Sequence, residues 1–448
     1  LKLKRSMAIR QKANSEENIM NLYQDLKKRG IIKDCTEESF EKKLNENLMT
    51  LYCGFDPTSD SLHIGSLLPI LTLRRFQLAG HTPIAIIGGA TGMIGDPSGK
   101  TQERQLLDQK TLDHNIEGIT KVFKKFLDFT GNNSAKVINN YDWFKSMNPV
   151  EFLRDIGKHF TVNHMMTKES VKARLDDRDH GISYTEFSYM ILQAYDFYVL
   201  NQKENCQLQI GGSDQWGNIT AGCELIRRMN AAQGKKAAEV FGLTFPLVTK
   251  SDGSKFGKSE IGNIWLDANK TSSYQFYQFL IRTTDDDVMN LIRFFTFLPH
   301  EEMDRLENEV KAAPQKREAQ KALAKELTVM VHGEQELLKA QAASQALFGE
   351  EIKSLDEKTL LEVFSEAPHT QKTISEMQSG VTLVDLLVET KLCPSKGQAR
   401  KDIQAGGIYI NNDRKQDALE KLDHSSLIAS KFLVLRKGKK NYHLVSFL

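Results

Sequence analysis

Side chains able to handle a charged, phosphate-bearing substrate gather at a few separated places in the sequence. Between Ser183 and Val199, apolar Phe187, Met190, Ile191, Ala194 and Phe197 recur every three or four residues, the period of a helix. On that helix Tyr189, Gln193 and Asp196 share one face, flanked on both sides by apolar residues, as in a lined pocket. Thr58, His63, Lys100, Arg104, Lys255 and Lys258 are donors or cations suited to phosphate oxygens. Asp96 can meet an ammonium, and Asp214, beside Gly211 and Gly212, can accept from two ribose hydroxyls. Gly65 leaves room for a flat ring against the backbone.

These residues must be brought together, and the chain between them reads as an open α/β sheet. Leu51–Phe55, Pro83–Ile87, the stretch from Lys136, Cys206–Ile210 and Leu243–Thr249 are short apolar runs, the mark of buried parallel strands. Each is followed by a polar or glycine-rich turn and then by helical periodicity. Ligands bind such sheets beyond the carboxyl ends of the strands, where helix N-termini offer unpaired N–H groups. Ser59, Asp60 and Ser61 are the expected caps of a helix running from Leu62 to Ala79. Pro69 inside it is expected to distort it locally, since an interior proline costs roughly 3 kcal/mol. Gly95–Thr101 resembles a phosphate-binding P-loop but has three residues between its glycines where that loop needs four, and Pro97 removes an N–H from the cradle.

The flanks differ in character. Residues 8–48 read as a charged helical arm with Ile19, Leu22, Leu26, Ile31 and Phe40 turned inward. Residues 105–135 form a helical crossover, residues 150–175 are helical with Lys168 and Arg174 able to face RNA, and a further helix starts near Ile219. Residues 266–345 read as helix throughout. After a weakly patterned linker come two short helices around Val384 and Ser395, a strand near Ile408, and a hairpin whose tip carries Arg436, Lys437, Lys439 and Lys440. Lys391–Leu448 holds 12 Lys or Arg against 5 Asp or Glu, a net +7, so the remainder must carry −5 to give the chain's +2. A basic end on a mildly acidic body points to a polyanionic partner.

Composition removes other classes. The apolar fraction of 40% is enough for real cores, and 448 residues allow two or three domains. No apolar run is long enough to span a bilayer, and no apolar signal core follows the basic opening. The five cysteines, Cys35, Cys53, Cys206, Cys223 and Cys393, form no Cys-x-x-Cys pair, which argues for a reducing compartment and against structural zinc. No metal site is expected.

Pro57-Thr58 through His63-Ile64-Gly65-Ser66 resembles the His-Ile-Gly-His signature of class I aminoacyl-tRNA synthetases. Ser66 replaces the second imidazole with a hydroxyl that can still donate to a ribose oxygen. Lys255-Phe256-Gly257-Lys258-Ser259 resembles their Lys-Met-Ser-Lys-Ser signature. With Tyr52–Thr58, Gly88–Lys100, Ser188–Asp196 and Gln209–Asn218, the match is to the bacterial tyrosyl-tRNA synthetases and covers nearly the whole chain. The end of the chain resembles the S4 RNA-binding domain.

The resemblance implies a Rossmann-like catalytic domain at 49–250 behind the arm at 1–48, with the signature loop at 251–265. It implies a helical anticodon-side domain at 266–348, a linker at 349–376 and an S4-like α+β domain at 377–448. It implies activation of L-tyrosine by ATP with Mg²⁺, transfer to tRNA(Tyr), a homodimer and a cytoplasmic location. Tyr52 and Asp196 would hold the phenol, and Asp96, Tyr189 and Gln193 the ammonium. Thr58, His63, Lys100, Arg104, Lys255 and Lys258 would surround the departing pyrophosphate. Cys53, Asp56, Gly65, Ser66, Gly212, Asp214, Gln215, Lys258 and Ser259 would line the ATP side. Lys396, Arg400, Lys401, Arg436, Lys437, Lys439 and Lys440 would contact RNA. The alternatives are a tryptophanyl-type synthetase, against which Tyr52 and Asp196 together argue, and a non-catalytic RNA-binding protein that kept the fold, against which Lys100, Lys255, Lys258 and Asp214 argue.

Overall fold

The computed structural model describes residues 20–98, 107–175, 181–236, 238–259, 262–346, 352–353, 355–365, 367–378, 380–438 and 441–448, with the backbone alone at 169, 170, 173, 258, 259, 346 and 378. It divides into two compact units, Leu1–Thr271 with Thr283–Leu323, and Ser272–Arg282 with Ala324–Leu448. Ile19, Lys100, Arg104, Lys439 and Lys440 lie outside the described residues.

The first unit is built on a six-stranded sheet. Its strands are β1 (Asp34–Cys35), β2 (Thr50–Phe55), β3 (Thr82–Ile87), β4 (Lys136–Asn139), β5 (Cys206–Gly212) and β6 (Phe241–Phe245). Their order is β1-β6-β5-β2-β3-β4, with β1 antiparallel to β6 and the other neighbours parallel. Ile84, Ile86 and Ile87 of β3 are buried, each stabilising the fold by about 1.5–3 kcal/mol. The order reverses between β2 and β5, the switch point at which such sheets open. There the pairing of β2 with β5 runs from Thr50↔Cys206 only to Tyr52↔Gln209, while β2 stays with β3 to Phe55↔Ile87. β2 and β5 therefore part beyond Tyr52, and a crevice opens above that residue.

Helices cover the sheet. They are α1 (Leu22–Lys28), α2 (Phe40–Glu46), α3 (Leu67–Leu78), α4 (Gln109–Phe126), α5 (Tyr184–Glu204), α6 (Trp216–Ala232), α7 (Asp285–Phe295) and α8 (His300–Ala312). α3 is buried from Leu67 to Leu68 and from Ile70 to Gln77, including Arg74 and Arg75. Such a helix needs polar partners for its charges. α5 begins where Ser183 accepts from the Glu186 N–H, as its apolar period predicts.

Several local expectations are corrected. The arm at 1–48 is not purely helical: β1 adds an edge strand, and Leu22 is only half-buried while Leu26, Ile31 and Phe40 are buried. The last strand of the sheet is Phe241–Phe245 rather than Leu243–Thr249, and α6 begins at Trp216, before Ile219. Ser59, Asp60 and Ser61 do not cap the helix after β2. A 3₁₀ turn, Ile64–Ser66, precedes α3, and its cap is His63, whose Nδ1 accepts from the Gly65 N–H at 3.0 Å. Pro69 therefore sits in the first turn of α3, where N–H groups lack intrahelical partners, so the interior penalty does not apply. Arg174 does not face RNA: it is buried, with two nitrogens 2.9 Å from the two carboxylate oxygens of Glu186. Lys168 is half-buried, its Nζ 3.4 Å from Thr220 Oγ1, and burial lowers its pKa.

The second unit carries a five-stranded sheet. After the two-residue strands β7 (Lys258–Ser259) and β8 (Gly262–Asn263) of the first unit come β9 (His369–Lys372), β10 (Ile408–Ile410), β11 (Asp413–Lys415), β12 (Phe432–Lys437) and β13 (Asn441–Phe447). Their order is β11-β10-β12-β13-β9, with β9 parallel to β13. Leu383, Leu386, Leu387 and Ile403 of the two short helices form one core with Ile408, Leu433, Leu435, Val445 and Phe447. β9 falls in the stretch read as a linker, so that stretch supplies an edge of this sheet.

Removing one member of a buried ion pair strands the other charge. Arg174→Met should destabilise the chain by about 3–5 kcal/mol in urea unfolding. A loss below about 1 kcal/mol would mean that Glu186 finds other compensation.

Candidate active site

The crevice between β2 and β5 is floored by Tyr52 and walled by α5. Tyr52 is 1% exposed and its ring lies tilted against Phe197 at 5.4 Å. Its hydroxyl is buried without a hydrogen-bond partner. Such an orphan costs about 1–3 kcal/mol, so it marks a place where a ligand can repay the loss. Asp196 is 3% exposed. Its Oδ2 accepts from Asn140 Nδ2 and its Oδ1 from Trp143 Nε1, both at 3.0 Å. Burial pushes its carboxyl up to about 8, against the pull of those two hydrogen bonds, and Asp56 adds to the rise.

Asn140 is itself held, since its Oδ1 accepts from the Ala90 N–H at 2.7 Å and its Nδ2 also reaches Thr91 Oγ1 at 3.0 Å. Ala90 and Thr91 sit where the glycine turn after β3 enters the helical turn Thr91–Ile94. Gly88 and Gly89 leave room there. A Cβ on Gly88 would come within 2.6 Å of Asp56 Oδ1, and one on Gly89 within 2.1 Å of Asn139 Oδ1.

A second polar group lies further along α5. Gln193 Oε1 accepts from Asn218 Nδ2 at 3.1 Å, and the same amide reaches Gln215 Oε1 at 3.2 Å. Gln215 Nε2 donates to Asp96 Oδ2 at 2.7 Å, and Asp96 Oδ1 accepts from the Ser98 N–H at 2.9 Å. Asp96, Gln193 and Gln215 thus form one network through Asn218, and Tyr189 is buried on the same helix as Gln193. Asp214, in the 3₁₀ turn Ser213–Gln215 after β5, has its carboxyl raised by burial and by Asp96, and lowered by Lys255.

The two lysine-bearing and histidine-bearing turns touch. Ile64 N–H donates to Ile264 O at 2.8 Å, Leu266 N–H to Leu62 O at 2.9 Å, and Ile264 N–H to Gly257 O at 2.9 Å. His63 forms a β-bridge with Trp265, and their rings meet edge to face at 6.3 Å. Gly257 has φ +93°, and a Cβ there would come within 2.8 Å of Ile64 Cγ2. The 255–259 turn is therefore clasped onto the His63 turn through Ile264–Leu266. Lys270 pairs with Asp60 and lies 4.9 Å from the Trp265 ring centre, tying the far side of the same turn.

The other candidates fall as follows. Thr58 and Lys255 are exposed, and Ser66 is half-buried. Asp56 Oδ1 lies 3.5 Å from Thr91 Oγ1. Cys53 is buried, its thiol 3.8 Å from Gly54 O and pushed up to about 12 by burial. Gly65 donates to His63, and Gly212 opens the turn that carries Asp214. Lys100 and Arg104, and the side chains of Lys258 and Ser259, lie outside the described residues. In the second unit Lys396 pairs with Asp385 at 2.6 Å and Lys437 with Asp402 at 2.8 Å. Arg436 lies 3.8 Å over the Tyr409 ring, while Arg400 and Lys401 are exposed. Asn140, Trp143 and Asn218 were not singled out in the sequence. Trp143 and Asn140 do follow a strand end, the one signal that could have raised them.

Comparison with known proteins places the chain in a family. Residues 43–349 match the profile described as tRNA synthetases class I (W and Y), and residues 360–445 match the tyrosine–tRNA ligase SYY-like C-terminal domain. The chain is 54% identical to the tyrosine–tRNA ligase of Bacillus velezensis, over 95% of this chain and 100% of the relative. It is 53% identical to that of Geobacillus kaustophilus, over 96% and 100%. Among solved structures, a C-terminally truncated mitochondrial tyrosyl-tRNA synthetase of Aspergillus nidulans superposes with a TM-score of 0.66 at 29% identity, over 78% of this chain and 99% of that one.

The Asp196 carboxyl gives a pH signature. Its folded pKa lies above the unfolded value, so the folded state holds the proton longer, and stability is lost as pH rises from about 4 through about 8. Asp196→Asn has no proton to lose. The melting-temperature difference, variant minus wild type, should grow from pH 5 to pH 8 and level off above it. The variant also turns an amide donor toward Asn140 or Trp143, which shifts that difference by a pH-independent offset. A flat difference would show that Asp196 ionises in the folded chain as it does in the unfolded one.

Proposed function

This chain belongs to the class I tRNA synthetases of the tryptophan and tyrosine group and is a tyrosine–tRNA ligase, and we propose that the crevice over Tyr52 is where it forms tyrosyl-adenylate. The observation that carries this site is the buried, unpaired Tyr52 hydroxyl on the floor of a crevice that also holds the Asp196 carboxyl. A phenol hydroxyl entering there can donate to one group and accept from the other. A phenylalanine ring offers neither bond and leaves both polar groups buried and unsatisfied. Asn140 and Trp143 fix the Asp196 oxygens by donating to them.

In this reading the substrate ammonium meets Asp96, Tyr189 and Gln193, which aims the amino-acid carboxylate toward the 3₁₀ turn that carries Asp214. The carboxylate is already ionised, so its attack on the α-phosphorus of ATP needs no general base. What the reaction needs is charge stabilisation of the expanded phosphorus and of the departing pyrophosphate. Thr58, His63, Lys100, Arg104, Lys255 and Lys258 are assigned that role, with Cys53, Asp56, Gly65, Ser66, Gly212, Asp214, Gln215 and Ser259 on the nucleotide side. Mg²⁺ enters with ATP, held mainly by phosphate oxygens. The terminal ribose hydroxyl of tRNA(Tyr) then attacks the adenylate carbonyl and releases AMP. In the second unit the exposed Arg400 and Lys401, with the hairpin tip at 436–440, are assigned to the RNA, as in an S4-like domain spanning 377–448. The sheet edge β9 extends that domain upstream.

A homodimer accords with the exposed apolar side chains of Val150, Leu153, Val162, Met166 and Tyr184, which stand on successive elements between 149 and 184. A cytoplasmic setting accords with five cysteines that are all unpaired. No helix among the described residues is long and apolar enough to cross a membrane.

Tyrosine-dependent exchange of pyrophosphate into ATP, compared with phenylalanine and tryptophan, tests the site. Wild type should exchange with tyrosine alone, and Asp196→Ala should lose the preference for tyrosine over phenylalanine. Unchanged preference would remove Asp196 from the pocket. Lys258→Ala should slow adenylate formation while leaving tyrosine affinity near wild type, and a defect confined to tyrosine affinity would contradict its role. Val162→Asp combined with Tyr184→Asp should sediment as a monomer, and an unchanged dimer would place the interface elsewhere.

A further inference from the structure

Phe256, the aromatic residue inside Lys255–Ser259, stacks on Phe295, with ring centres 5.6 Å apart and planes 25° from parallel. Phe295 is the last residue of α7 and is fully buried. The carbonyls just beyond it are gripped by two buried arginines. Arg75 Nη2 donates to Thr296 O at 2.6 Å, and its guanidinium lies 4.5 Å over the Phe297 ring. Arg29 donates from Nη1 to Thr296 O at 3.1 Å and from Nη2 to Leu298 O at 2.7 Å. Asp25 balances both cations: Oδ1 accepts from Arg29 Nε at 2.8 Å, and Oδ2 lies 3.8 Å from Arg75 Nη1. His300 Nε2 stands 2.8 Å from the same Oδ1. The C-terminus of α7 is a natural place for cations, because its last carbonyls carry partial negative charge.

Arg75 belongs to α3, the helix that starts at the His63 turn. A continuous rigid path therefore runs from that turn through α3 and Arg75 to Thr296, Phe295 and Phe256. A buried guanidinium cannot slide without losing hydrogen bonds in a low-dielectric interior, so the path holds its length. The Ile264–Leu266 clasp joins the same two turns by a separate route of backbone hydrogen bonds. The clasp fixes where the lysine loop meets the His63 turn, and the aromatic stack fixes the tilt of the loop about that contact.

We infer that Phe295, braced by Arg75, is a positioning residue for adenylate formation, setting through its stack on Phe256 the angle at which the lysine-bearing turn meets the ATP phosphates. The inference rests on the reading that this loop acts on ATP. It separates the stack from the tyrosine pocket, because the path passes through neither Tyr52 nor Asp196. Misplacing charged groups by a fraction of an ångström lowers rate while leaving the other substrate's affinity intact.

The test is a double-mutant cycle on the full chain with Phe256→Leu, Phe295→Leu and both together. Adenylate formation is followed in single turnover, tyrosine affinity by equilibrium dialysis, and folding by thermal melting. Each single variant should slow adenylate formation about tenfold and keep tyrosine affinity within about twofold. The double variant should be no slower than the worse single, because a stack is lost only once. If Phe295→Leu fails to fold, Phe295→Met, whose unbranched side chain adapts to the space left by the ring, tests the same non-additivity. Rate losses that multiply in the double variant, or tyrosine affinity that falls in step with rate, overturn the inference. A wild-type chain that forms no tyrosyl-adenylate overturns the reading of the site, and this inference with it. An active wild type with multiplicative variants overturns the positioning role alone.

Discussion

A carboxyl group in an almost dry site is the constraint on which this structure turns. Burial favours the neutral form of Asp196, yet two donors lean the other way. Those donors come from the turn after β4, and one of them, Asn140, is fastened in turn to the Ala90–Thr91 turn after β3. Asp196 itself rides on α5, which the chain reaches only after crossing the sheet. The site is balanced only when β3, β4 and α5 are all in register. The parting of β2 from β5 then supplies the opening, and the unpaired Tyr52 hydroxyl supplies the demand for a polar occupant.

Much of this was legible in the sequence, for an identifiable reason. The Tyr189, Gln193 and Asp196 stripe could be read because a helix converts spacing directly into a shared face. The strand-end turns could be read because glycine and proline interrupt apolar runs. Asn140, Trp143 and Asn218 could not, since their roles depend on distant partners that only the closed fold brings near. An asparagine after a strand has the same sequence signature whether it holds a buried carboxylate or water. His63 reads in the sequence as a donor to phosphate; in the structure its Nδ1 accepts from the Gly65 N–H, a capping role for which the nearby serines and aspartate are the better formers in isolation.

Short strands were the other blind spot. β1 is two residues long and has no period to detect. It exists because β6 offers an unpaired edge, and Thr244 Oγ1 bonds both the Asp34 N–H and its carboxylate. Arg174 shows the converse error. A cation on an amphipathic stretch is usually solvated, but here a glutamate waits on the neighbouring helix, and the pair is sealed between them.

The edge strand β9 has a consequence for the order of folding. Its partner β13 is parallel to it and is separated from it by three α-helices, a 3₁₀ turn and three strands of the described chain. As the polypeptide emerges during synthesis, the β9 segment has nothing to pair with until the whole of that intervening chain has been made. The helices and the β10–β11 and β12–β13 hairpins can assemble locally, whereas β9 must close a long loop, a slow step entropically. For that interval its free N–H and C=O groups remain open to any passing strand, so β9 is the segment of this sheet most in need of a chaperone.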